Sequence, residues 1–207
     1  MKRSPRALAF TLCAVLGAAS GAAATAAAPA ETAAARKAVE LCSTCHGPRG
    51  VSTSPEFPVL AAQQADYFRG QLEAFRSRAR AEKDAHDFMW GIAGGIDASL
   101  FPGLAAYYAA QPPAPGRPGD PARVARGKDL FDKGSPERGV AACATCHGAD
   151  AAGSGIFPRL AGQHAKYVAK QLRYIQTLVR AAPVMHGIVK DLSDDEIDAV
   201  AAYVQSL

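Results

Sequence analysis

A motif of cysteines and histidine that occurs twice constrains this 207-residue chain more than any other feature of its sequence. The first copy reads Cys42-Ser-Thr-Cys45-His46-Gly, and the second, 101 positions later, reads Cys143-Ala-Thr-Cys146-His147-Gly. Each copy is followed by a Phe-Pro-x-Leu-Ala-x-Gln segment, at residues 57–63 and 157–163. An internal repeat of this kind indicates that one structural plan is used twice.

A proline-rich segment separates the two copies. Residues 111–121 contain five prolines and no apolar periodicity, which predicts an extended, semi-rigid linker. We therefore expect a first domain over residues 29–110 and a second domain over residues 122–207.

The periodicity of the apolar residues predicts an all-α fold of two tandem domains. Helices are expected at residues 31–41 and 121–133 before the cysteines, at 64–81 and 164–180 after them, and at the alanine-rich end of each half. Ser193-Asp-Asp-Glu196 is a capping box that predicts the start of the last helix. Glycine and proline interrupt the corresponding segment of the first half, so that closing helix should be short.

The N-terminus has the pattern of a secretory signal peptide, which we assign to residues 1–28. Three basic residues precede an apolar run over residues 8–19, and a tail of small residues follows, with Ala24 or Ala28 as the last residue removed. A retained anchor is the alternative, because residues 7–30 are uncharged and long enough to span a bilayer. Cleavage would leave 20 basic and 19 acidic residues, a balance that does not indicate nucleic-acid binding.

Export also removes Cys13, so every remaining cysteine belongs to one of the two motifs. Within a helical turn, positions i, i+3 and i+4 lie on one face, which places both thiols beside the histidine. Two thiols at this separation can add to the two vinyl groups of a haem while the histidine meets the iron. The sequence therefore predicts two covalently bound haem c groups, attached through Cys42 and Cys45 and through Cys143 and Cys146.

Three other chemistries use paired cysteines. A thioredoxin-like pair would be expected beside a strand-helix-strand unit, and no strand pattern is present. A disulfide within each pair suits an oxidising compartment but leaves both motif histidines unexplained. A zinc site would have to bring together pairs about 100 residues apart, far outside the usual finger spacings.

The predicted iron ligands are His46 and Met89 in the first half and His147 and Met185 in the second. Apart from the initiator, these are the only methionines, and each is followed by x-Gly-Ile at matching repeat positions. The first half carries about five extra residues between its cysteines and its methionine. Three further histidines, His86, His164 and His186, have no histidine counterpart in the other half, so we expect them to face solvent or to lie behind the ligands.

These motifs, together with the paired methionines, resemble the dihaem cytochromes c of the c4 type, which consist of two class I cytochrome c domains in tandem. The resemblance covers residues 33–207 and implies a periplasmic electron carrier whose domains are related by a pseudo-twofold axis, with haem propionates near their interface. It also implies that the carbonyl oxygens of Pro58 and Pro158 accept the Nδ1 protons of His46 and His147.

The expected function is electron transfer from a quinol-oxidising complex to a terminal oxidase, without bond chemistry of the chain's own. The first alternative is the cytochrome subunit of a dehydrogenase, such as a sulfide-oxidising flavoprotein. The second is a dihaem peroxidase or a thiosulfate-oxidising enzyme with an unusual cysteine ligand, although the mature chain has no spare cysteine. Peripheral association with a membrane is left open.

A run of arginines after the first motif has two interpretations. It could form a docking face for an acidic partner, or a solvated helix face, because Glu73, Glu82 and Asp84 are interleaved. The solvated face is the interpretation we favour. The run comprises Arg69, Arg76, Arg78 and Arg80.

Overall fold

The computed structural model describes Met1 and residues 32–207, so all of the predicted signal peptide after Met1 lies outside the described residues. The predicted all-α class is confirmed: among residues 32–207, extended segments pair only as isolated bridges. Within the described residues, no helix has both the length and the apolar character needed to cross a membrane.

Four α-helices form the first domain. A single helix, α1, leads directly into the first cysteine motif, and short 3₁₀ turns and a π-helix connect the others. The α-helices are α1 (Ala33–His46), α2 (Ala65–Arg76), α3 (Trp90–Gly95) and α4 (Phe101–Ala109). The shorter elements are Pro48–Gly50, the π-helix Ala85–Met89 and Ala98–Leu100.

The second domain repeats this order with a separate short helix for its cysteine motif. Its α-helices are α5 (Pro121–Lys133), α6 (Ala144–His147), α7 (Ala165–Gln176), α8 (Pro183–Val189) and α9 (Asp194–Ser206), with a 3₁₀ turn at Pro136–Arg138. The capping box of Ser193 and Glu196 is present at the start of α9, as predicted. The closing helix of the first domain, α4, is the shorter of the two, nine residues against thirteen.

Each domain has its own apolar core behind the cysteine motif. In the first domain Phe101, Leu104 and Tyr108 of α4 pack against Phe68 and Leu72 of α2. In the second, aromatic and aliphatic side chains of α5, α7 and α9 pack together, including Phe131, Val168, Ile197, Tyr203 and Val204. The closing helix of each domain therefore completes its core.

Helices α2 and α7 end about four residues earlier than their sequences predict. Arg78 and Leu178 take left-handed backbone conformations, with φ of 60° and 61°, and reverse the chain after each helix. Arg80 N–H then donates to the Ala74 carbonyl oxygen at 3.2 Å and Arg180 N–H to that of Tyr174 at 2.9 Å. The two reversed segments meet in an antiparallel bridge between Arg80 and Arg180.

Two glutamines join the domains in a reciprocal way. The Gln163 amide accepts from Val59 N–H at 2.8 Å and donates to the Val59 carbonyl oxygen at 2.9 Å. The Gln63 amide does the same with Arg159, at 2.8 and 3.1 Å. These paired bonds, together with the bridge between Arg80 and Arg180, give the interface the pseudo-twofold symmetry that the resemblance implied.

The connection between the domains, residues 111–120, contains no helix and lies against the second domain. Arg117 N–H donates to the Gln205 carbonyl oxygen at 2.8 Å. A Cβ placed on Gly116 would lie 2.5 Å from the carbonyl oxygen of Ser206, so the connection passes closely over the end of α9.

Candidate haem-binding sites

In the first motif both cysteines lie near the end of α1. In the second, Cys143 precedes α6 and Cys146 lies within it, and in both motifs the histidine is the last residue of the helix. Helix α1 ends at His46 and α6 ends at His147, and Gly47 and Gly148 follow with φ of 74° and 79°. A side chain is disfavoured at such φ, and at Gly47 a Cβ would also lie 2.2 Å from the Val51 carbonyl oxygen. The chain therefore turns away sharply after the histidine.

Among the described residues, the four motif cysteines form no disulfide. Burial is the main cause that raises the pKa of the Cys42 thiol, and it raises the pKa of the Cys143 thiol to about 11. A thioredoxin-like nucleophile needs the opposite shift, because the thiolate is the reactive form. In the part of the chain that the structure describes, no group of three or more histidine, cysteine or acidic side chains is placed to hold a metal ion.

Both motif histidines are buried and oriented by a proline carbonyl group. His46 Nδ1 lies 2.8 Å from the carbonyl oxygen of Pro58, and His147 Nδ1 lies 3.0 Å from that of Pro158. A carbonyl oxygen can only accept, so Nδ1 carries the proton in both rings and Nε2 keeps its lone pair. Burial lowers the pKa of both imidazoles, against the opposing effect of these bonds, and so favours the neutral form that binds iron.

One orphaned atom tests whether a haem iron suits this site. His147 Nε2 is buried and has no hydrogen-bond partner. A buried polar nitrogen without a hydrogen-bond partner lowers the stability of a protein. A metal ion is one of the few groups that can satisfy such a nitrogen. The thiols, the neutral imidazole and its unused lone pair therefore fit a covalently attached haem.

The two methionines are half-buried and belong to the same apolar clusters as the cysteines. Met89 packs against the first core, which includes Cys42, and Met185 packs against the second core beside Cys143. The structure thus brings each predicted methionine to the domain of its predicted histidine.

The extra residues of the first domain lie mainly in the segment that carries Met89. The helical segment begins at Lys83 and reaches Met89 through the π-helix Ala85–Met89, whereas α8 begins at Pro183 and reaches Met185 within its first turn. Such π-helical insertions are frequent at functional sites. The surroundings of the two methionines are therefore different.

The remaining histidines are held by other groups. His86 is exposed and bonded to Asp87, as expected for a solvent-facing residue. His186 donates from Nδ1 to the Ile175 carbonyl oxygen at 3.0 Å. His164 does not face solvent: it is 3% exposed and bonds from Nε2 to the Ser52 carbonyl oxygen across the interface, at 3.1 Å.

Comparison with known proteins agrees with this geometry. The family model described as cytochrome c matches residues 124–207, within the second domain. A cytochrome c4 of Thiocapsa roseopersicina is 41% identical over 83% of this chain and 89% of its own length. The chain belongs to the cytochrome c4 family. It therefore carries two covalently bound haem c groups and transfers electrons.

Two further relatives bear on the family's architecture and range. The solved structure of an Acidithiobacillus ferrooxidans cytochrome c4 superposes with a TM-score of 0.76 at 36% identity and covers 80% of this chain and 98% of that one. A protein of Thiomonas intermedia named thiosulfate dehydrogenase electron acceptor is 33% identical over 83% of this chain and 81% of its own length.

The sequence did not reveal one polar cluster in this cytochrome c4-type chain. Arg80 was expected on a docking or solvated face, but it is 6% exposed and meets Arg180, Gln71 and Gln171 at the domain interface. The signal that could have found it is the repeat itself, because Arg80 and Arg180 stand 100 positions apart, as do the two glutamines.

Proposed function

We propose that this chain is a periplasmic dihaem carrier that accepts electrons from a quinol-oxidising complex and delivers them to a terminal oxidase. In this proposal His46 and Met89 ligate one iron and His147 and Met185 the other. The domain boundaries predicted from the sequence, at residues 110 and 122, enclose one complete ligand set each.

The observation that carries the proposal is how the interface joins the two sites. The Pro58 carbonyl oxygen accepts from His46, and the N–H of the same peptide group, on Val59, donates to Gln163 of the other domain. The peptide group between Pro158 and Arg159 links His147 to Gln63 in the same way. Each histidine is thus fixed by a peptide group that the opposite domain also binds, which supports transfer between the two sites.

Bound haem supplies a one-electron couple, and the residues of this chain determine its environment. The thiols fix its position, while the proline carbonyls keep each histidine in the tautomer that presents Nε2 to the iron. A histidine and a methionine that both bound the iron would raise its reduction potential relative to two nitrogen ligands. This ligand set leaves no open position for a substrate, which favours a carrier over a peroxidase.

Two measurements on the exported protein test the proposal. Mass spectrometry should show two haems attached to a chain cleaved near residue 24 or 28, recovered from the periplasmic fraction. The purified protein should then be reduced by a quinol-oxidising complex with quinol and reoxidised by a terminal oxidase. Failure of either electron-transfer step with haems fully loaded would exclude this route.

The similarity to thiosulfate dehydrogenase electron acceptors supports a second candidate. Here the donor would be a thiosulfate-oxidising dehydrogenase, and the same dihaem chain would carry its electrons away. Rapid reduction by such an enzyme with thiosulfate, together with slow reduction by the quinol-oxidising complex, would favour this candidate over the first.

A further inference from the structure

Two buried arginines and one buried glutamate lie together at the domain interface. Arg80 and Arg180 are 6% and 8% exposed, and Glu82 is 1% exposed. Arg80 donates from Nε to Glu82 Oε1 at 2.8 Å, and its Nη2 bonds the same oxygen. Buried charges interact strongly because little solvent screens them.

The arginines are arranged symmetrically by neutral partners from both domains. Gln71 Oε1 accepts from Arg80 at 2.9 Å and from Arg180 at 3.0 Å. Gln171 Oε1 accepts from Arg80 at 3.0 Å and from Arg180 at 2.7 Å. Arg180 also donates to the Tyr67 hydroxyl group at 2.9 Å. Without Glu82, the hydrogen-bond partners of the two arginines would be almost equivalent in the two domains.

Glu82 breaks the symmetry. Residues 78 and 80 correspond to residues 178 and 180, because both segments reverse at left-handed residues and make the same backbone bond from the arginine, and Glu82 and Ala182 each lie two positions after that arginine. The residue that corresponds to Glu82 is Ala182, which carries no charge. Thus Arg80 has a carboxylate from its own domain, whereas Arg180 has none. Glu82 Oε2 is also buried without a partner.

The asymmetric pair is attached to the methionine side of the first site. Trp90, the residue after Met89, donates from its indole nitrogen to the Arg80 carbonyl oxygen at 2.7 Å. Glu82 immediately precedes the helical segment that leads to Met89, and His86 N–H donates to its carbonyl oxygen at 3.1 Å. The carboxylate therefore belongs to the framework of the first haem site.

We propose that Glu82 makes the two haems unequal and holds the first-domain haem at the lower reduction potential, so that an electron rests preferentially on the second-domain haem. Oxidised haem carries one more positive charge than reduced haem. A buried carboxylate therefore stabilises the oxidised form of the haem that lies nearer to it. Arg180 has no carboxylate partner from its own domain, so its positive charge favours the reduced form of the second-domain haem. This inference rests on the proposed positions of the two haem sites.

The test is a redox titration of the dihaem protein and of Glu82→Gln, which removes the charge and keeps the shape. We expect the equilibrium constant for electron transfer from the first haem to the second to fall on the order of tenfold, which is about 59 mV for a one-electron couple. An unchanged difference between the two potentials would overturn the proposal.

Matched variants separate charge from disruption. Arg80→Gln should widen the difference between the potentials, whereas the double variant Arg80→Gln/Glu82→Gln removes both charges and should restore it. Glu73→Gln, which alters an exposed carboxylate of α2, should leave both potentials unchanged because solvent screens that charge. Shifts of the same sign in all four variants would contradict an electrostatic role.

In Glu82→Gln, Arg80 becomes a buried charge without a counterion, and this variant could fail to fold for that reason. A second variant tests the same proposal without creating an unpaired arginine. Ala182→Glu places a carboxylate at the corresponding position of the second domain and should also narrow the difference. Failure to narrow it in the folded variant would overturn the proposal. Haem content and the absorption spectrum are recorded for every variant, so that loss of a ligand, which would contradict the proposed function, is distinguished from an unchanged potential, which would contradict this inference alone.

Discussion

The five histidines of this chain differ in the groups that hold them. His46 and His147 donate to proline carbonyl oxygens, while His164 is bonded to a carbonyl group of the opposite domain. The motif and the repeat distinguish the two predicted ligand histidines from the other three. They could not predict the burial of His164. Its repeat counterpart, Gln64, makes the equivalent bond across the interface, from its side chain to the Ala152 carbonyl oxygen, but a histidine in one half and a glutamine in the other do not show as a repeat. Burial at an interface depends on a partner far away in the sequence.

The methionine assignment can be tested at one residue. Met185→Ala should remove the weak sulfur-to-iron absorption band of one haem and lower the potential of that haem, because a methionine ligand raises it. Covalent attachment should persist, since both thiols remain. The matched variant Met89→Ala should do the same to the other haem. A titration curve identical to that of the unaltered protein would reject Met185 as a ligand.

The extent of each helix depends on the residues at its ends as much as on its apolar face. Helix α9 starts with a capping box in which Glu196 bonds back to Ser193 N–H at 2.8 Å, and Arg138 binds the same carboxylate from a preceding turn. The sequence predicted this start because capping residues act locally. It overestimated the lengths of α2 and α7. Arg78 and Leu178 are not glycine, so nothing in the local sequence marks them as residues with a left-handed backbone.

The cap of α9 predicts a pH dependence. Arg138, with help from Ser193, lowers the pKa of Glu196 to about 2. A carboxyl group whose pKa is lower in the folded state stabilises the fold fully above its unfolded pKa of about 4.3, and this contribution is lost as the pH falls towards 2. Glu196→Gln should therefore lower the melting temperature at pH 7 and reduce its decline between pH 5 and pH 3. Parallel declines in both proteins would contradict this role.

The contact between α5 and α9 depends on one glycine. A Cβ on Gly127 would lie 1.9 Å from the Ala199 carbonyl oxygen, closer than any real contact allows. Gly127→Ala should separate the two helices and lower the free energy of unfolding of the second domain by about 2 kcal/mol or more, because overpacking strains a close-packed core. Thermal unfolding followed by circular dichroism measures this. Gly70→Ala, at a helical position of α2 where a Cβ meets no neighbouring atom, is the control and should change little.

At the scale of the whole molecule, the contacts between the domains differ in how deeply they are buried. The buried glutamines bind backbone groups, whereas Glu56 reaches Lys166 and Lys170 at the surface. The repeat predicted a paired architecture, and the resemblance predicted its axis. Neither predicted which residues cross the interface, because glutamine and lysine have no periodicity that distinguishes a partner in another domain from solvent.

These contacts should contribute unequally to the coupling of the domains. Gln163→Ala leaves the N–H and carbonyl groups of Val59 buried without partners, which should cost about 2 kcal/mol or more and separate the unfolding transitions of the two domains in calorimetry. Glu56→Gln removes ion pairs of a solvent-exposed carboxylate and should cost much less than Gln163→Ala, and less still at high salt, because solvent and ions screen the charge. A larger effect of Glu56→Gln would reverse this ranking.

The glutamines bind main-chain atoms, so these hydrogen bonds do not depend on the side chains at the two positions they hold. One of these is an apolar valine, Val59, and the other a cationic residue, Arg159. Either residue could therefore change without loss of these hydrogen bonds. Contacts of this kind allow the two domains to differ in sequence while their relative position is kept.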